Sequence, residues 1–284
     1  MNLPPAAMVE FVTHGAAALA FLALTLLLAL RGRIRGVGLV FLVCLIATIV
    51  WAGLTAWCAF TAAPWAGAVA VLDIVRVGAW LGFLSLLLLP ALARGARTAL
   101  LIAIGGLVAI NLLSAGIDQG WIPLGALDLD DIYGLAIRLA VPVAGLLLIE
   151  NLVRNGSRDG VWSGKFLFVA LGAMWAYDLF VDSHALLYRV ADPDLGAPRG
   201  AIQVLIVPLL AVAAARNAAW SLDIGISRGA VFHSAALVGS GLFLLLMAGA
   251  GYYLREFGGN WGPLLQVTFV AAAGWLWRPR GTRY

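Results

Sequence analysis

Apolar runs of near twenty residues alternate along this chain with short polar turns. Nine can be drawn, over residues 9–30, 37–58, 64–92, 98–115, 131–152, 165–187, 200–215, 229–254 and 262–277. A helix rises about 1.5 Å per residue, so about twenty residues cross the hydrocarbon of a bilayer. The pattern predicts an all-α polytopic membrane protein of about nine transmembrane helices. Eight are clear. The ninth is short, with only 264–277 strongly apolar before a tail rich in Arg, Pro and Trp. No linker, low-complexity stretch or internal repeat interrupts the pattern, which predicts one transmembrane helical domain over 1–284 with no soluble domain.

Composition agrees, with 63% hydrophobic and only 11% charged residues. The polar turns add an orientation. Basic residues cluster at Arg31, Arg33 and Arg35, at 94–97, at 154–165, at 216–228 and at 278–283, whereas the turns near 59–63 and 116–130 have none. Cytoplasmic loops carry the Lys/Arg excess. The N-terminus is therefore expected outside and the C-terminus in the cytoplasm of a bacterial inner membrane. Trp57, Trp65, Trp121, Tyr252, Tyr253 and Trp261 then fall where an outer aromatic belt belongs. The net charge of +4 follows from this loop bias and does not signal nucleic-acid binding, because the arginines are dispersed. Cys44 and Cys58 lie about 21 Å apart along one helix, too far to bridge. The start, Met1-Asn2-Leu3-Pro4-Pro5, lacks the basic region of a cleavable signal peptide.

Some residues break the rule. Arg76 and Arg138 lie inside apolar runs, where an unpaired charge costs several kcal/mol. Asp73 stands one helical turn before Arg76 and can pair with it. The sixth run offers Tyr177, Asp178, Asp182 and His184. The third and fifth runs head inward and the sixth outward, so all these ionisable groups fall in the outer half of the bilayer. They are expected to form one buried polar cluster open to the outside, with Glu10 and His14 near enough to join. Two roles stand open: pairs that pin helices and fix their register, or a site for a ligand or for proton sensing. Gly78 and Gly82 allow close helix approach, for packing more than for dimerisation.

A second feature lies at the cytoplasmic edge after the seventh run. Trp220, Leu222, Ile224 and Ile226 alternate with Ser221, Asp223, Gly225 and Ser227, which suits a short extended segment with one greasy face. Together with Arg216, Asn217 and Arg228 it reads either as a tether lying on lipid or as a coupling loop that docks a cytoplasmic partner. No phosphate-binding loop, metal-spaced cluster or catalytic motif is apparent, and no cofactor or metal is expected. The one lysine, Lys165, sits too near an end of its run to carry a retinal Schiff base.

From about 160 to 266 the chain carries an ordered set of elements. They include Lys165-Phe166, Ala176-Tyr177-Asp178, Asp182, Arg199-Gly200-Ala201, Arg216-Asn217, Trp220 to Ile224, Phe232-His233-Ser234, Tyr252-Tyr253 and Phe257 to Trp261. This set resembles the membrane domain of the PrsK family, the sensor histidine kinases of the PEP-CTERM system. The resemblance implies a membrane-embedded input module of a two-component system. It also implies GAF-like and kinase domains in full-length relatives, a homodimer, and a response regulator controlling exopolysaccharide and exosortase-linked genes. The phosphoacceptor and ATP-binding motifs of that family are missing, so no catalysis is expected of this chain alone. The likeness fades after Leu265-Gln266, which suggests a truncated or frameshifted relative. A small transporter or export component, or a scaffold for an envelope polysaccharide system, is the alternative.

Overall fold

In lipid, backbone N–H and C=O groups find no water, so long apolar segments close their hydrogen bonds internally as helices. The computed structural model describes residues 4–30, 36–122, 131–190 and 192–217. All belong to the unit Met1–Ile226; the other unit, Ser227–Tyr284, lies outside the described residues. The eighth and ninth expected runs, the stretch 218–228 of the coupling loop, and Tyr252, Tyr253 and Trp261 therefore also lie outside them.

The described elements are α1 (Pro5–Leu30), α2 (Val37–Thr61), α3 (Ala66–Leu88) with a 3-10 turn (Leu89–Ala91), α4 (Arg94–Asp118), α5 (Asp131–Asn155), α6 (Arg158–Tyr188), the single turn α7 (Pro193–Gly196) and α8 (Arg199–Arg216). Among the described residues, seven helical segments are long and apolar enough to cross a membrane, α7 and α8 together supplying the seventh. Each matches one of the first seven expected runs. The chain is thus a multi-pass membrane protein by the length and composition of its helices. Leu19, Leu27, Leu30, Ile102, Val169 and Leu205 stand exposed on the helix surfaces, as lipid contact requires.

Six helices form a closed circuit. α1 packs on α2, α2 on α3, α3 on α5, α5 on α6, α6 on α8, and α8 returns to α1; α4 lies in the groove of α3 and α5. Glycines permit the closest approaches. A Cβ on Gly200 would meet the α1 backbone at His14 N, 2.5 Å away. One on Gly145 would strike the Trp175 indole at 2.3 Å, so α5 accepts that ring flat against its backbone. A Cβ on Gly78 would meet Val108 of α4 at 3.1 Å, which makes it a packing position, while one on Gly82 would meet no neighbouring element within 4 Å among the described residues.

Two expected basic loops prove to be largely helical. α4 begins at Arg94, and Arg97 donates to the carbonyls of Leu92 and Pro90 at the end of the preceding turn. Only Gly156 and Ser157 separate α5 from α6; Ser157 caps α6 by accepting from the Gly160 N–H. Residues 158–165 thereby become its first two turns. Lys165 stays compatible with the bilayer edge by stacking its ammonium over Trp162, 3.3 Å from the ring centre.

Candidate functional site

α3 presents Asp73 and Arg76 to the bundle interior one turn apart, where they pair as the spacing requires: Arg76 Nε and Nη2 donate to Asp73 Oδ1 at 2.9 and 2.6 Å. α6 brings Asp178 to the same point, its Oδ2 3.7 Å from Arg76 Nη2. The fourth member comes from α8. Arg199 Nε donates to Asp178 Oδ1 at 2.9 Å, and Nη1 donates to Asp73 Oδ2 at 3.0 Å. Asp73, Arg76, Asp178 and Arg199 form a ring of alternating charge with no net charge, joining three helices. Alternation lets each buried ion lie between two of opposite sign, which offsets the cost of removing it from water.

Trp51 of α2 completes this centre. The Arg76 guanidinium lies 4.2 Å from the centre of its ring and that of Arg199 5.4 Å. Cation–π attraction is strongest where water is excluded, and Arg76 is fully buried. His14 of α1 meets the same indole edge-on, with ring centres 5.1 Å apart. Its Nδ1 lies 3.0 Å from the Glu10 carbonyl, inside its own helix. Beside the ring, Arg138 of α5 reaches Asp182 of α6 at 3.3 Å, half-exposed and, among the described residues, with most of its donors unspent.

Asp73, Arg76, Arg138, Asp178 and Asp182 are therefore brought together, as their shared depth predicts. Tyr177 stands next to the cluster and donates to the Leu195 carbonyl at 2.9 Å, tying down the short α7 segment. His184 does not join the ion pairs. It packs on Tyr188 with ring centres 4.5 Å apart, and among the described residues its Nδ1 has no hydrogen bond. The reason is angular: at 100° per residue, His184 is turned about 200° from Asp182 on the helix.

Arg199 is the member missed in the sequence, where it reads as an ordinary outer-loop arginine. The signal was length. The run 200–215 is sixteen residues, too short to span. The chain makes up the difference by drawing the segment from Pro193 into the span. Thr13 holds that segment from the other side, donating to the Ala197 carbonyl at 2.8 Å.

The cluster lines open space. A cavity of about 400 Å³ lies among α1, α2, α3, α5 and α8, with Asp73, Arg199, His14 and Trp51 deep in it and Glu10, Cys58 and Ala63 nearer the helix ends. A second of about 180 Å³ lies among α3, α4 and α5, and a small third lies below. Asp73 and Arg138 border all three. The exposed Trp57, Trp65 and Trp121 stand at this end of the bundle. Towards the other end the interior is packed with Phe41, Trp80, Phe83, Leu84, Leu171 and Leu210. There Asn217 donates to the Ser163 carbonyl at 3.1 Å, and the Arg216 guanidinium lies over Phe166 at 4.8 Å. These two residues dock the end of α8 onto α6. Among the described residues, no group of three or more His, Cys, Asp or Glu is placed to hold a metal.

No protein family, curated protein or solved structure matches the chain.

Proposed function

We propose that this protein is the membrane-embedded input module of a bacterial two-component system, and that the charged cavity is its receiving end. One observation carries the reading. Among the described residues, every buried Asp and Arg lies in one half of the bundle, around a cavity, while the interior of the other half is mainly apolar side chains. A transporter needs polar groups along its whole path, usually at a midplane site reached through broken helices. A cavity lined by α1, α2, α3, α5 and α8 suits a receptor: an occupant that favours one packing of these helices biases their equilibrium.

The basic-turn pattern supports placing the cavity on the outer side of the inner membrane, with the N-terminus outside. The ordered elements from 160 to 266 support a sensor of the PrsK type, with kinase and GAF-like domains and a response regulator downstream. α6 and α8 then form the route inward, because each contributes to the ring at one end and to the Asn217–Ser163 contact at the other.

The test is genetic. Deleting the reading frame in its host is expected to change exopolysaccharide and exosortase-linked transcripts several-fold. Wild-type complementation restores them; Arg138→Gln at equal membrane abundance does not. Unchanged transcripts in the deletion strain, with altered solute uptake instead, would replace this reading with transport.

A further inference from the structure

The cavity does not present one sign of charge. Asp73 and Asp178 are committed: both oxygens of Asp73 accept from Arg76 or Arg199, and those of Asp178 face the same two guanidinium groups. Other groups that line the open space keep donors unspent. Among the described residues Arg138 makes one 3.3 Å hydrogen bond, to Asp182, and keeps its other N–H donors. Arg199 donates there from Nε and Nη1, which leaves Nη2. Both line the larger cavity, and so does Glu10, whose carboxylate has no hydrogen bond or ion pair among the described residues. The free groups are thus cationic donors on the α5 and α8 walls and one carboxylate on the α1 wall.

A simple anion would have to share the cavity with Glu10, and a simple cation with Arg138 and Arg199. A molecule carrying both charges satisfies both walls and keeps the site neutral. Resting on the input-site reading above, we infer that the cavity binds a small zwitterion, its acidic group on Arg138 and Arg199 and its ammonium group on Glu10. The volume of about 400 Å³ lies within the range of small-molecule sites. It admits an amino-acid-sized solute or the phosphoethanolamine headgroup of a phospholipid. The chemistry is the same for both sources.

Cys58 supplies the readout. It lines this cavity and is partly accessible, whereas Cys44 is fully buried and serves as the internal control. The purified chain in nanodiscs of phosphatidylglycerol alone is treated with a small methanethiosulfonate, and the rate of Cys58 modification is followed by intact mass. Glycerophosphoethanolamine, a phosphodiester with one negative and one positive charge, is expected to slow the reaction at least five-fold, and phosphate or ethanolamine singly less than two-fold. Glu10→Gln and Arg138→Gln are each expected to abolish the protection, with Cys44 still unreactive as evidence of folding. Adding phosphatidylethanolamine to the nanodisc tests the lipid source, and adding glycine tests the free solute; protection by either supports the inference. Protection by phosphate alone to the same extent, or by none of these probes, overturns it. No signalling output enters this assay, so the zwitterion can fail while the input role stands, and the transcript test can fail while binding stands.

Discussion

The two halves of this bundle hold their helices together by different means. At the cavity end, α3, α6 and α8 meet through four charged side chains and an indole face, beside empty space. In the opposite half the helices meet through filled volume: Phe41 of α2 and Trp80 and Phe83 of α3 stack edge-on or tilted at 5.4–6.0 Å, and Leu81 and Leu84 of α3 and Leu171 of α6 have no exposed surface. In lipid, apolar packing must be tight to favour association, because the tails are as apolar as leucine. A cavity forfeits that contact. Strong directional pairs can hold helices in place without filling the space between them. The charges therefore lie where the void lies, and the two features have one explanation.

The largest effect is expected from breaking the ring. Asp178→Leu leaves Arg199 without its Nε partner and Arg76 with Asp73 alone. Removing one member of a buried charge group costs about 3–5 kcal/mol, because the remaining charge is uncompensated. Reversible unfolding in mixed micelles measures it. Pairing the change with Arg199→Met removes the orphaned cation and should recover part of the loss. If the double variant were as unstable as the two single losses added together, the ring would not be acting as a neutral unit.

The packed half should respond to volume instead. Gly145→Ala drives a methyl group into the Trp175 indole, already 2.3 Å from where the Cβ would stand. Overfilling a packed contact costs about 1–3 kcal/mol. The same substitution at Gly82, where a Cβ would meet no neighbouring element within 4 Å among the described residues, should be neutral or slightly stabilising. Equal effects at the two glycines would erase the distinction between the halves.

How much of this was legible in the sequence follows the same division. The seven described spans could be read because lipid imposes length and apolarity on each segment separately. Asp73, Arg76, Arg138, Asp178 and Asp182 could be read because a charge in an apolar run is conspicuous and depth follows from counting. Depth alone does not separate His184 from them; its azimuth, about 200° from Asp182, does. Arg199 was hidden by the assumption that an arginine at the edge of a run belongs to a loop. The role of Trp51 and the cavity itself have no linear signature, since both depend on which faces of six helices turn inward together. Arg216 and Asn217 close α8 onto α6 by a hydrogen bond and a ring contact that sequence alone does not specify.

The smallest expected effect concerns that far contact. α8 is fixed to α6 by a charged pair at Arg199 and by a neutral bond at Asn217. Interhelical hydrogen bonds in membranes average about 0.6 kcal/mol, so Asn217→Ala should cost about that much in unfolding. Its local consequence is more telling. Asn217 also donates to the Ala213 carbonyl of its own helix, so the last turn of α8 loses two restraints, whereas the first turn keeps Arg199, Thr13 and Tyr177 around it. Amide exchange in the variant should rise at 213–216 and stay unchanged at 201–205. α8 would then be anchored at the cavity end and free to shift at the other, the arrangement needed for occupancy of the cavity to be felt beyond the helix. Exchange rising equally at both ends would mean that α8 loosens as one piece, and the contrast between a charged anchor and a neutral latch would be lost.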